Sequence, residues 1–272
     1  MSAISAAGLA PSRVTQRGVL RSEWIKLRSL RSTWFSLAAA VLLVDALGTL
    51  FSALHAHRMT DNGGPNVQVM FDATEVSLRG VFLAQLAIGV LGVLVITGEY
   101  GTGMIRSSLA AVPHRRPVLI AKAAVFAVVT FVVALPMTLI GFELGQLAQR
   151  STHVQADLGT PGALRAIVGA AVYLTLIGVL AVGIGFIVRN TAGALATLFG
   201  IVLVAPLLTN ALPEPYATDV AKFLPLNIGS RIVATTEFDT RALGPWVGIA
   251  VLAGYAAVAL AAGAFVLSRR DA

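Results

Sequence analysis

An all-α membrane protein with six transmembrane spans is the fold class this sequence predicts, from its apolar content, the length of its apolar runs and the placement of its charges. Of 272 residues, 57% are hydrophobic and only 12% charged, and the mean hydropathy is +0.83. That composition belongs to a polytopic helical membrane protein. Apolar runs longer than about 18 residues recur along the chain, the length at which a segment reads as a spanning helix. Basic residues collect at alternate inter-span segments, as expected of a chain oriented by the positive-inside rule.

Residues 1–19 are expected to form a disordered tail, the segment up to Pro11 being small and uncharged, and residues 20–272 a single transmembrane domain. From Leu20 to Trp34, the residues Leu20, Trp24, Leu27 and Trp34 fall on one side of a helical wheel, and Arg21, Lys26 and Arg28 lie off that stripe. This pattern predicts an interfacial amphipathic helix with Trp24 and Trp34 at headgroup depth. The same residues also fit a plain basic stop before the first span.

The spans are expected at Trp34 to Leu54, Gly80 to Thr97, Val118 to Leu144, Ala163 to Val188, Ala192 to Leu212 and Pro245 to Leu267, the second the shortest and the third the longest. At about 1.5 Å per residue, roughly 20 residues cross the ~30 Å hydrocarbon layer. The third span is long enough to tilt, bend at Pro136 or project from the bilayer. With the N-terminus inside, the inner segments carry thirteen Lys and Arg and the outer segments seven, which predicts both termini in the cytoplasm. The isoelectric point near 10.5 reflects this topology and contact with lipid headgroups. The basic residues flank spans and make no aromatic-interleaved stripe, so nucleic acid is not an expected partner.

The one sizeable polar insert on the basic side is GEYGTGMIRSSLAAVPHRRP, Gly98 to Pro117. Gly98, Gly101 and Gly103 are expected to loosen the chain, Met104 to Val112 to form a short helix, and Pro113 and Pro117 to end it. Glu99 and Arg106 stand two turns apart if that helix starts early, an arrangement suited to docking in a partner's groove. A solvated loop with positive-inside charges fits the same spacing.

Two carboxylates fall within apolar runs. Asp45 lies near the middle of the first span, where an unpaired charge costs roughly 2.5–3.5 kcal/mol, so it is expected to be protonated or to face protein or water, and is a candidate to line a path. Glu143 sits within Gly141-x-x-x-Gly145, a close-packing pattern near the outer end of the third span. Structural pairing accounts for both equally well. The long outer segment Pro213 to Gly244 contains apolar patches, Val220 to Leu226 and Ile228 to Ala234, too short to span; surface or re-entrant helices are expected there.

No cofactor or metal is expected on this chain. There is no Gly-x-x-x-x-Gly-Lys-Ser/Thr loop, no Gly-x-Ser-x-Gly and no His-Glu-x-x-His, and cysteine is absent. His55, His57, His114 and His153 fall in loops on opposite sides, and a solvent-exposed His-x-His is favoured over a metal site at His55 and His57. The start of the chain lacks the basic and apolar regions of a cleavable signal peptide, so the first span is expected to direct insertion.

Four segments share an order with a known family. The run GEYGTGMIRSSLAAVPHRRPVLIAKA resembles the pattern that follows the second span in type-2 ATP-binding-cassette (ABC) transporter permeases: Gly-Glu-Tyr, a Gly-Thr pair, Arg, Leu, Pro, Arg and Ala-Lys. RSEWIKLRSLRSTW is similar to the interfacial helix that opens many of them, Arg189 to Gly193 to the inner turn between spans four and five, and Leu224 to Gly229 to the Leu-Pro-x-Asn-x-Gly segment before the last span. The chain departs from common versions in having Gly103 and Met104 after the Gly-Thr pair.

The resemblance implies a permease subunit in the cell (cytoplasmic) membrane, paired with a second copy or a homologous permease. It would be driven by two copies of a cytoplasmic ABC ATPase that hold ATP and Mg, this chain binding neither. It assigns coupling to the ATPase to Glu99, Tyr100, Gly101, Thr102, Arg106, Leu109, Pro113 and Arg115, and the interfacial helix to Glu23, Trp24 and Lys26. Phe82, Gln85, Phe199 and Asn210, with Asp45, become candidates for the translocation path. The cargo expected by family tendency is an exported amphipathic or lipid-like solute such as a drug, an antibiotic or a lipid. Two other classes remain open: an ion-coupled secondary transporter using Asp45, which predicts inverted repeats that the sequence does not display, and a non-transporting anchor or sensor that recruits a cytoplasmic partner.

Overall fold

The computed structural model describes residues 15–62, 72–105, 115–150, 155–209, 211–236 and 242–269. Among these residues the secondary structure is helical throughout, and six helices are long and apolar enough to cross a membrane.

The first helix, α1 (Gln16–Ser29), starts ahead of the expected Leu20, inside the segment assigned to the tail. Thr15 caps it, its hydroxyl accepting from the Gly18 N–H at 3.3 Å, and Val19 is buried with Val118 and Ala121, so its first turns have partners. Leu30 adopts an extended conformation and ends it, and α2 (Arg31–Asn62) begins at once. Trp34 therefore belongs to the first span, its indole N–H donating to the Arg28 carbonyl at 3.0 Å across the elbow.

A one-turn helix, α3 (Ala73–Ser77), leads into α4 (Val81–Gly101). This second span continues four residues past the expected Thr97. Gly98 and Gly101 stay helical, since glycine weakens a helix by only about 1 kcal/mol, and the chain turns at Gly103, where φ is +73°. The third span, α5 (Arg115–Ala148), begins before Pro117 because proline is tolerated in a first turn, whose N–H groups have no intrahelical acceptor. It runs unbroken through Pro136.

The fourth span, α6 (Ala163–Val188), is the most buried of the six and forms the axis of the bundle, with α4, α5 and the last helix around it. Small residues permit the approach: a Cβ on Gly92 of α4 would lie 2.5 Å from the Gly178 carbonyl oxygen of α6. Tyr173, fully buried, donates to the Gln85 amide oxygen at 2.5 Å, and the Gln85 amide nitrogen donates to the Phe82 carbonyl at 2.7 Å.

Span five is composite. An α-helix, α7 (Thr191–Phe199), passes into a π-helical turn over Gly200–Val204 and then α8 (Ala205–Thr209). Pro206 has no N–H to give Val202 and its ring crowds that carbonyl, which accounts for the widened turn just before it. At 19 residues this span, not the second, is the shortest, and it is the least buried.

The outer segment carries α9 (Tyr216–Ala221) and α10 (Pro225–Val233), followed by the last span, α11 (Pro245–Arg269). Pro225 occupies the first position of α10, where its fixed φ suits a helix start. Ile228, Ile232 and Val233 are buried on α6 and α11, so this helix is the packed surface element expected there. Six crossings bring α1, the α4–α5 junction, the α6–α7 turn and the end of α11 to one face, the basic face; α3, α9 and α10 lie on the opposite face.

Candidate functional site: an ionic junction at the basic face

The buried side of α1 is Val19, Glu23 and Leu27, one residue per turn. Leu20 and Trp24, which the wheel placed with Leu27 toward the interface, are exposed and lie off this buried side. A carboxylate thus occupies the middle of the face that meets the bundle. Glu23 is only 4% exposed and Glu99, from the last turn of α4, 9%.

Two ammonium groups answer them. Lys122, 4% exposed in the second turn of α5, donates to Glu23 Oε2 at 2.5 Å and to Glu99 Oε1 at 2.8 Å. Lys26, one turn along α1, donates to Glu23 Oε1 at 3.0 Å and to Glu99 Oε1 at 3.2 Å. The four groups sum to zero charge and link three helices. Charges out of water are tolerated only in such pairing, and removing one partner from a buried pair costs about 3–5 kcal/mol. Burial lowers the Lys26 pKa, but its hydrogen bond to Glu23 and the charges of Glu23 and Glu99 outweigh burial and hold it above the ordinary lysine value.

Around this junction the other residues that the resemblance assigns to coupling take distinct places. Tyr100 faces the Arg189 guanidinium, 5.2 Å from its ring centroid. Gly101 ends α4, and the Thr102 hydroxyl donates to the Gly98 carbonyl at 2.9 Å, closing the last turn. Arg115 opens α5. Arg106, Leu109 and Pro113 lie outside the described residues.

The α6–α7 turn abuts the same end of α4. Arg189 closes α6 with a left-handed φ of 61°, its N–H donating to the Gly185 carbonyl at 2.9 Å, and its side chain donates to the Val266 carbonyl of α11 at 3.2 Å. Asn190 caps α7, accepting from the Gly193 N–H at 3.0 Å, and the Thr191 hydroxyl donates to Thr97 Oγ1 of α4 at 2.9 Å. A left-handed non-glycine residue costs roughly 1–2 kcal/mol, offset here by the turn, the stack on Tyr100 and the tie to α11.

The candidate path residues separate. Gln85 is 1% exposed, its amide engaged at both ends as described. Phe82 and Phe199 are partly buried against the core, Phe199 just before the π turn, and Asn210 lies outside the described residues. Asp45 is half-buried between α2 and α5, and its Oδ1, buried without a hydrogen-bond partner among the described residues, faces Gly141. Gly141 and Gly145 bring α5 close to Val44 and Ser77, while Glu143 between them is exposed.

Lys122, the lysine of the Ala-Lys pair that closes the motif, is the member of the junction to which the sequence assigned no role. Its signal was there: a lysine five residues into the apolar run that starts at Val118 needs a buried partner, and two carboxylates were already assigned near the same boundary.

A family model described as "ABC-2 family transporter protein" matches residues 19–206, which takes in most of α1, the junction and the first four spans, and ends inside the fifth. The Leu224–Gly229 segment lies beyond that match. No curated protein matches the chain. With well over half its length matched and six apolar helices around the junction, the chain belongs to the ABC-2 transporter family and is a multi-pass membrane permease of an ABC transporter.

Proposed function

We propose that this permease exports an amphipathic or lipid-like solute across the cell membrane, in a complex with a second copy or a homologous permease and two cytoplasmic ABC ATPase subunits that bind and hydrolyse ATP with Mg. The basic face, with both termini, lies in the cytoplasm. The observation that carries this reading is the junction of Glu23, Lys26, Glu99 and Lys122, which fastens α1 to the helices that enter and leave the Gly98–Pro117 segment.

A force applied to that segment by a closing ATPase acts on the end of α4 and the start of α5 together, and through the junction on α1. The Tyr100–Arg189 stack and the Thr97–Thr191 hydrogen bond extend the same end of α4 to α6, α7 and α11. Nucleotide then biases two arrangements of the spans, one open to each side. Span five, the least buried of the six and widened at its π turn, is the surface offered to the second permease.

The test is co-expression with an ATPase encoded by the neighbouring reading frame, followed by ATPase and transport assays in lipid. Glu99→Ala and Arg106→Ala are expected to leave expression measurable while reducing ATPase activity and transport. A complex that hydrolyses and transports equally well with both changes refutes the coupling assignment; failure of that ATPase to co-purify refutes the proposed complex.

A further inference from the structure

The elbow between α1 and α2 encloses a groove of about 300 Å³ against α5, distinct from the ionic junction. Trp24 and Leu27 come from α1, Trp34 and Leu37 from α2, and Val128 and Val132 from the outward face of α5. The walls are apolar, and Val128 and Val132 are each 63% exposed although they lie well inside a spanning segment. A face so placed meets hydrocarbon.

Two polar groups mark one end. Arg28, exposed at the C-terminal turn of α1, borders the groove, and Thr33 lines it in the first turn of α2. Thr33 is 2% exposed, and its Oγ1 is buried with no hydrogen-bond partner among the described residues. Nearly all buried hydroxyls are satisfied, so such a group on the wall of a groove points to a ligand oxygen. The Trp34 indole bond to the Arg28 carbonyl fixes the elbow and with it both walls.

A cation at interfacial depth, a hydroxyl just beneath it and an apolar trough below reproduce, in order, the needs of a phosphate, an ester oxygen and an acyl chain. We propose that this groove holds one anionic glycerophospholipid of the surrounding bilayer, its phosphate on Arg28, an ester oxygen accepting from Thr33 Oγ1, and one acyl chain along Val128 and Val132. The lipid seats the α1–α2 elbow on α5. It is a fixed component of the fold and not the transported solute.

The test uses the full chain, purified in mild detergent and exchanged into nanodiscs of phosphatidylcholine containing a minor fraction of phosphatidylglycerol. Native mass spectrometry counts the lipids retained after release. The wild type is expected to retain one phosphatidylglycerol per chain in preference to phosphatidylcholine. Arg28→Gln is expected to reduce that preference about fivefold, the scale of one basic residue at an anionic surface. Val132→Trp, at an exposed position that tolerates bulk, is expected to abolish retention of either lipid, and Thr33→Val to weaken retention without altering headgroup preference. A photo-crosslinker at Val128 then identifies the occupant directly, and is expected to label lipid. Equal retention in wild type and Val132→Trp, absence of headgroup preference in the wild type, or a crosslink to a second copy or to a partner protein overturns the proposal.

Discussion

The two ends of the bundle are joined by different chemistry. At the basic face four ionised side chains from α1, α4 and α5 share one buried site. At the opposite face the equivalent joint is neutral: the Gln149 amide donates to Ser52 at 2.9 Å and to Ser77 at 3.1 Å, and the Gln146 amide donates to Ser77 at 3.0 Å and to the Ala73 carbonyl at 3.1 Å. Beside it, Asp72 caps α3 and accepts from the Thr236 N–H at 3.0 Å, tying the chain after α10 to the base of the second span. Neutral hydrogen bonds are short-ranged and hold one geometry. Buried charges act over a longer distance, and losing one partner penalises all the others. The contrast fits a molecule pushed at one end and hinged at the other.

The largest effect distinguishing the two joints is expected from Lys122→Met. It leaves Glu23 and Glu99 buried with only Lys26 between them and should cost about 3–5 kcal/mol, read as a fall in melting temperature and in folded yield from detergent. Gln149→Leu at the other end removes only a neutral amide. It is expected to cost about 1–3 kcal/mol in the same assay, and comparable losses from the two variants would remove the distinction.

A smaller effect separates the joints by pH. Lys26 has its folded-state pKa raised, so its contribution is fully present below the ordinary lysine value of 10.5 and is lost as pH rises through the higher folded value. Trp24 fluorescence should therefore report loosening of α1 only in strongly alkaline buffer. Lys26→Met should diminish that alkaline transition, whereas the glutamine–serine knot has no titrating member and should give none. Trp34→Phe is expected to have the smallest effect, about 0.5–1.5 kcal/mol for one hydrogen bond across the elbow, measured by the same thermal unfolding.

The spans were legible because twenty apolar residues have few other uses, and each of the six expected spans overlaps one of the six long apolar helices. The boundaries were less so. Gly98, Gly101 and Pro117 read as breakers, yet glycine only weakens a helix and proline in a first turn breaks no bond, so α4 and α5 both extend into the polar insert. The stripe on α1 says nothing of which side of the helix meets the bundle. A wheel ranks residues by hydropathy, and the helix also buries Glu23, whose partner across the bundle, Lys122, lies 99 positions away. Such pairing over long sequence separation leaves no local periodicity. Glu23, Lys26 and Glu99 were found through motif resemblance, and their meeting at Lys122 required the fold. Gln85, placed by analogy on the path, is held by Tyr173, a partner in another span that no spacing rule connects to it.

The central claim, that the ionic junction transmits the ATPase's motion as well as stabilising the fold, is tested most directly by Glu99→Gln combined with Lys122→Met. This pair removes one charge of each sign and keeps Glu23 with Lys26 within α1, so folded yield should recover to near the wild-type level while the bridges from α1 to α4 and α5 are lost. Because the chain has no cysteine, Leu83→Cys and Val247→Cys provide unique spin-label sites on exposed positions of α4 and α11 at the far face. In the complex with its ATPase, the distance between the labels is expected to change on adding ATP and Mg to the otherwise wild-type protein, and to stay fixed in the double variant. A nucleotide-driven change of the same size in both would contradict the account.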